Sequence, residues 1–168
     1  MRILTFALLV GTCFVMLCTD AHAGAEHNVQ VAKRVFLENL AMGRFDRLDE
    51  IYGPGFVAHA VSRDYTLEQD NDASRSWRAA MPDLKVSVLR TVADRDQVAV
   101  HWHITGTNSV AAGGMPGNGD RIGIEGMTIY RFVSGHIVEE WSVIDIATLR
   151  NQVERPPPVH SQSSATKP

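Results

Sequence analysis

The sequence is short of thiols: of its 168 residues only Cys13 and Cys18 are cysteine, and everything after them is without one. A disulfide framework, a cysteine nucleophile and a thiolate metal site are thereby excluded from the rest of the chain. A basic surplus is missing too, with 16 Lys and Arg against 19 Asp and Glu and a net charge of −3. Nucleic acid is therefore not an expected partner. The Gly-x-Ser-x-Gly pattern of a serine nucleophile is absent. Gly113, Gly114, Gly117 and Gly119 are followed neither by a Lys-Ser/Thr pair nor by a helical pattern, so they read as a loop tip and not as a phosphate cradle.

Long hydrophobic runs are absent except at the start. Arg2 precedes an almost uncharged stretch from Ile3 to Leu17, and Ala21-His22-Ala23 supplies the small-x-small pattern of a cleavage site. Residues 1–23 are expected to be a signal peptide, which places the mature chain in the periplasm or outside the cell, with no membrane attachment after cleavage. An uncleaved N-terminal anchor is the alternative. A lipoprotein reading fits poorly, because Leu17 precedes Cys18 and Thr12 precedes Cys13. The chain beyond Ala23 is long enough for one domain with a sizeable core.

Residues 24–153 carry the signs of that domain. Val31 with Val35, and Ala32 with Phe36 and Leu40, form an apolar stripe that predicts a helix from Glu26 to Leu40, broken at Gly43. Phe45, Leu48, Ile51 and Tyr52 predict a shorter second helix, ended by Gly53-Pro54-Gly55. Phe56 to Ala60 reads as a brief extended segment. Thr66 and Gln69 form a capping box for a third helix, which ends at Met81-Pro82-Asp83.

The period then changes to two. Strands are expected from Leu84, around a turn at Asp94-Arg95-Asp96 into Val98–Thr105, from Arg121 to Val133, and from His136 to about Ile146. A glycine-rich loop lies between Ala111 and Asp120, and a tight turn at Ser134-Gly135. Three N-terminal helices followed by an antiparallel meander is an α+β plan. Residues 154–168, with three consecutive prolines followed by Ser, Gln and Thr, are expected to be a disordered tail.

Alternation along the last strand puts Ile137, Glu139, Trp141, Val143 and Asp145 on one face. A carboxylate at the end of so apolar a face would be desolvated, and a raised pKa suits a base that attacks carbon acids. The bland alternative is a strand-end aspartate capping a turn or pairing with an arginine. His101 and His103 form an H-x-H that suits two metal ligands or a polar pocket patch. No neighbour at ligand spacing completes a metal set, so no metal is expected. Trp77, Trp102 and Trp141 read as core or pocket wall.

Several segments, in order, resemble one family. They are Phe56-Val57-Ala58-His59, Met81-Pro82-Asp83-Leu84, Gly106-Thr107-Asn108, the loop with Met115-Pro116, and Gly126-Met127-Thr128-Ile129-Tyr130-Arg131-Phe132. Gly135-His136-Ile137-Val138-Glu139-Glu140-Trp141 comes next, then Asp145 and Gln152. From about Val29 to Val153 the chain is similar to the SnoaL-like polyketide cyclase and ester cyclase branch of the nuclear transport factor 2-like superfamily. That resemblance implies a cone-shaped α+β barrel with three N-terminal helices on a curved, mostly antiparallel sheet around a deep apolar pocket. It implies no metal or organic cofactor, and pairing into a homodimer through the outer sheet face.

It further implies an acid/base aspartate at Asp145 aided by His59. The pocket would be lined by Trp141, His101, His103, Asn108, Trp77 and Met127. Two positions depart from the family pattern: Asn108 stands where a histidine is frequent, and His101 where an arginine is. The function implied is a cofactor-independent aldol cyclase, isomerase or hydrolase acting on a small apolar carbonyl compound. The alternatives are a periplasmic protein that binds a small ligand without turnover, and a scaffold using the outer sheet face.

Overall fold

A computed structural model of the chain describes residues 24–60 and 62–154. The expected signal peptide, and the expected tail beyond Glu154, lie outside the described residues. Residues 24–42 form helix α1, whose turns widen to the π spacing over Val35–Leu40. The stripe read from sequence is the one that packs: Val31, Ala32, Phe36 and Leu40 are buried. The helix ends at Gly43, which adopts φ 72° and donates its N–H to the carbonyl of Asn39 at 2.9 Å. Only glycine takes that left-handed turn without strain. Arg78 then caps the free carbonyls of Leu40 and Ala41, at 2.9 and 2.6 Å.

The expected second helix is one 3-10 turn, Leu48–Glu50. Tyr52, assigned to that helix from sequence, opens strand β1 (Tyr52–His59) instead. Gly53-Pro54-Gly55 lies inside β1, where pairing lapses between Tyr52↔Ile137 and Val57↔Glu139. A proline is tolerated there because no ladder bond needs its missing N–H. Strand β2 (Asp64–Tyr65) pairs with β1, and helix α2 (Leu67–Ala80) starts from the expected capping box at Thr66 and Gln69.

Six elements complete the sheet and its loop: β3 (Lys85–Asp94), β4 (Gln97–Thr107), the small hairpin β5 (Ala111–Ala112) and β6 (Met115–Pro116), β7 (Arg121–Val133) and β8 (His136–Ile144). The order across the sheet is β2-β1-β8-β7-β4-β3; every pairing is antiparallel except β1 with β8. Helix α3 (Ile146–Val153) comes after it, beginning at a residue that alternation assigned to the end of β8. The α+β architecture, with three helices on a mostly antiparallel sheet, thus stands, but the third helix lies at the C-terminal end. None of the described helices is long and apolar enough to cross a membrane.

The core lies between the helices and the inner sheet face, where Val98, Val100, Trp102 and Ile104 of β4 meet Ile122, Ile124, Tyr130 and Phe132 of β7. Gly126 is required there, since a Cβ at that position would overlap the indole of Trp102. One irregularity positions the site. Between β7 and β8 the register passes from Phe132↔Ile137 to Arg131↔Glu139, leaving Val138 as an extra residue. Such a bulge reverses which residues face inward beyond it. Ile137 points to the core, and past Val138 it is Glu140, not Glu139, that is buried.

Candidate functional site

The bulge turns Glu140 into a cavity of about 140 Å³ between α1, α2 and the inner sheet face. The π segment of α1 supplies Val35, Phe36 and Leu40, and α2 supplies Asp70, Ala73, Ser74 and Trp77. From the sheet come Trp102, Ile104, Thr128 and Tyr130, with Ser142 and Ile144 beyond Glu140 on β8. Phe36 packs on Trp102 and Tyr130, with ring centroids 5.9 and 6.3 Å apart.

Two carboxyls face this largely apolar space. Burial pushes Glu140 up to about 8, reinforced by the charge of Asp70 and opposed by a hydrogen bond from Ser142. Asp70 is raised to about 6 by burial. The phenols of Tyr52 and Tyr130 are also pushed well above their ordinary value, first by burial and then by the charge of Glu140. Two carboxyls drawn apart within one cavity are suited to opposite roles in proton transfer.

A hydrogen-bond chain fixes Glu140. The indole N–H of Trp102 donates to Thr128 Oγ1 at 3.0 Å, Thr128 and Ser142 share a bond of 2.8 Å, and Ser142 donates to Glu140 Oε1 at 2.7 Å. An indole can only donate. Ser142 gives its single hydrogen to Glu140, so Thr128 is the donor in the bond between the two hydroxyls, and the donors run from Trp102 toward the carboxyl. Glu140 Oε2 makes no hydrogen bond among the described residues, which leaves it for a ligand.

The residues singled out from sequence are placed differently. Asp145 follows β8 and caps α3, its carboxylate accepting from the backbone N–H of Thr148 at 2.9 Å. Those bonds hold its pKa below the ordinary value, so the expected desolvated, raised carboxyl is not at this position. The alternation that pointed to it fails at Val138. His59 lies on the outer face, stacked on Trp141 at 4.9 Å, with Nδ1 3.0 Å from Asp64 and Nε2 3.8 Å from Glu139.

His101 pairs with Glu125 at 2.9 Å, and its strand neighbour His103 alternates out of the core with it. Among the described residues no three side chains gather as a metal site. Met127 is exposed on the same outer face. Asn108 is wholly buried but serves the glycine loop: it accepts from Gly117 N–H at 3.1 Å and donates to Asn118 Oδ1 at 3.0 Å. Of the residues expected to bind substrate, Trp77 lines the cavity, and so does Trp102, which was read as core or pocket wall.

Glu140, Asp70, Ser142 and Thr128 were missed. For Asp70 a signal existed, because Asp70, Ala73, Ser74 and Trp77 fall at the spacing of one helix face. Glu140 becomes visible only once the bulge is known. A second chamber of about 530 Å³ adjoins the first between α2, the β5–β6 hairpin and α3, and Ala73 and Trp77 line both.

The sequence model of the SnoaL-like polyketide cyclase family matches residues 30–153. Among solved structures, the chain is similar to a SnoaL-like protein from Jannaschia sp. CCS1, with TM-score 0.69 and 21% identity over 79% of this chain and 95% of that one. AclR from Streptomyces galilaeus gives 0.70 and 20% over 79% and 99%, and IdmH from Streptomyces antibioticus gives 0.66 and 22% over 76% and 99%. No curated protein matches. The structural likenesses are of fold, and the match of the family model covers most of the chain. The chain therefore belongs to the SnoaL-like polyketide cyclase family.

Proposed function

We propose that the inner cavity is the reaction chamber of a cofactor-independent acid/base enzyme that moves protons next to a carbonyl group. The observation that carries this is the buried pair of carboxyls, Asp70 and Glu140, raised to different extents in one apolar cavity. Near neutral pH Asp70 is the carboxylate and Glu140 holds the proton. Asp70 takes a proton from the carbon beside the carbonyl, and the Oε2 proton of Glu140 meets the oxygen on which the enolate charge develops. In an aldol closure the carbanion then bonds to a second carbonyl carbon, and Asp70 returns the proton it took to the new alkoxide. In an isomerisation the proton is returned to a different carbon.

This reading moves the base away from Asp145, whose carboxylate is engaged as a helix cap. Exchange of α-protons in small cyclic diketones, followed by NMR in deuterated water, tests it without knowledge of the natural substrate. Glu140→Gln and Asp70→Asn are each expected to slow exchange by about 10²-fold or more. Exchange in both variants at the wild-type rate, or none above solvent in the wild type, would sink the proposal.

A second reading, binding without turnover, is favoured by the aromatic wall of Phe36, Trp77, Trp102 and Tyr130. Native mass spectrometry of protein from its source compartment is its test: a retained small molecule, recovered unchanged, supports it. Export through residues 1–23 also belongs to the proposal, and mass analysis of the mature N-terminus checks it. Pairing through the outer sheet face is proposed on the exposed apolar side chains of Met127, Ile129, Trp141 and Val143.

A further inference from the structure

The two chambers meet at Trp77, and their sizes differ in a way that limits the ligand. The inner one, about 140 Å³, is close to a cavity that a single benzene ring fills. It admits one ring or a short acyl group beside Glu140, and any larger molecule must extend beyond it. The outer one, about 530 Å³, has the size of an ordinary small-molecule site. Its wall is mostly apolar, with Ala112, Met115, Ile146 and Leu149, and among the described residues Arg150 of α3 is its one cation.

Arg150 makes no ion pair among the described residues, a state it shares with Arg44, Arg63, Arg78, Arg90 and Arg95; what sets it apart from these is that it lines the outer chamber. Among the described residues the only acidic side chain lining that chamber is Glu154, one helical turn further on. A guanidinium is a bidentate partner for an oxyanion. The neighbouring Glu154 lowers the net positive field, which disfavours a doubly charged phosphate more than a singly charged carboxylate.

We infer that the outer chamber is a subsite for the carboxylate end of an amphipathic monocarboxylate, whose apolar head passes Trp77 into the inner chamber. This deepens the proposed function, on which it rests for the direction of the ligand: the reacting carbonyl lies in the head and the anion outside. Binding at Arg150 does not itself require that Glu140 be a catalytic residue.

The test is a set of titrations with phenylbutyrate, its methyl ester and phenylbutyl phosphate, followed by tryptophan fluorescence and calorimetry. The acid is expected to bind about tenfold more tightly than the ester, with the preference falling as salt is added. Arg150→Gln should abolish that preference and leave the ester unchanged, Arg150→Lys should keep part of it, and Arg150→Glu should invert it. Equal binding of acid and ester by the wild type, or an acid affinity indifferent to Arg150→Gln, overturns the inference. Tighter binding of the phosphate overturns the carboxylate class. Glu140→Gln separates the two proposals, because it should slow proton exchange by about 10²-fold while leaving the acid-over-ester preference in place.

Discussion

Ser142 Oγ donates to Glu140 Oε1 at 2.7 Å, the last of the bonds that begin at Trp102. This bond favours the ionised carboxyl and works against burial. Ser142→Ala is therefore expected to raise the Glu140 pKa further. The alkaline limb of the pH profile for proton exchange should move up by about one unit, the size of one hydrogen bond to a charged group. A limb that stays in place would mean that Glu140 does not set it.

The wild-type profile itself should be bell-shaped, rising near pH 6 as Asp70 ionises and falling near pH 8 as Glu140 loses its proton. Because the two carboxyls interact, the limbs belong to the pair. Asp70→Asn is expected to remove the acid limb and Glu140→Gln the alkaline one, measured on whatever activity remains.

Stability should respond to pH through the same side chain. Folded Glu140 keeps a proton up to about pH 8, while in the unfolded chain it gives that proton up near the ordinary carboxylate value. Between those values the folded state binds more protons, so stability is greatest below them and falls as pH rises. Glu140→Gln cannot lose a proton. Thermal melts from about pH 5 to about pH 8 should show the wild type losing stability relative to this variant, by as much as a few kcal/mol.

At Asp145 the cap predicts stability and not rate. Asp145→Ala should cost about 1 kcal/mol of folding stability through α3, and Asp145→Asn close to nothing, because asparagine caps equally well. Proton exchange is expected to persist in both. Loss of exchange in a folded Asp145→Asn protein would return the base to that position.

Gly126→Ala places a methyl group where the Trp102 ring lies. A loss of about 1–3 kcal/mol is expected from this overpacking. It should come with a change in tryptophan fluorescence, since Trp102 can no longer hold its bond to Thr128.

Much of this fold was legible because its signals are local. The stripe on α1, the capping box at Thr66, the turn at Ser134-Gly135 and the limits of β7 depend on neighbours in the chain. The site was not legible for the opposite reason. Whether Glu139 or Glu140 faces inward is decided by how β8 lies against β7, a contact no window of sequence contains. Val138 has the side chain of an ordinary strand residue, so nothing marks it as the extra one. Asp70 was passed over for a simpler reason: an acid in the first turn of a helix has a sufficient reason to be there in the helix dipole.

Asn108 carries a consequence for how such a protein changes over generations. Its amide, buried beneath the turn at Gly117, sets the path of the glycine loop, and the β5–β6 hairpin of that loop forms part of the outer chamber. The inner chamber takes none of its wall from this loop. In the proposed function, substitutions and insertions between Ala111 and Pro116 would therefore reshape the outer chamber without altering the wall around Asp70 and Glu140. Selectivity and chemistry, as proposed, would then sit on different pieces of the chain, joined through Ala73 and Trp77.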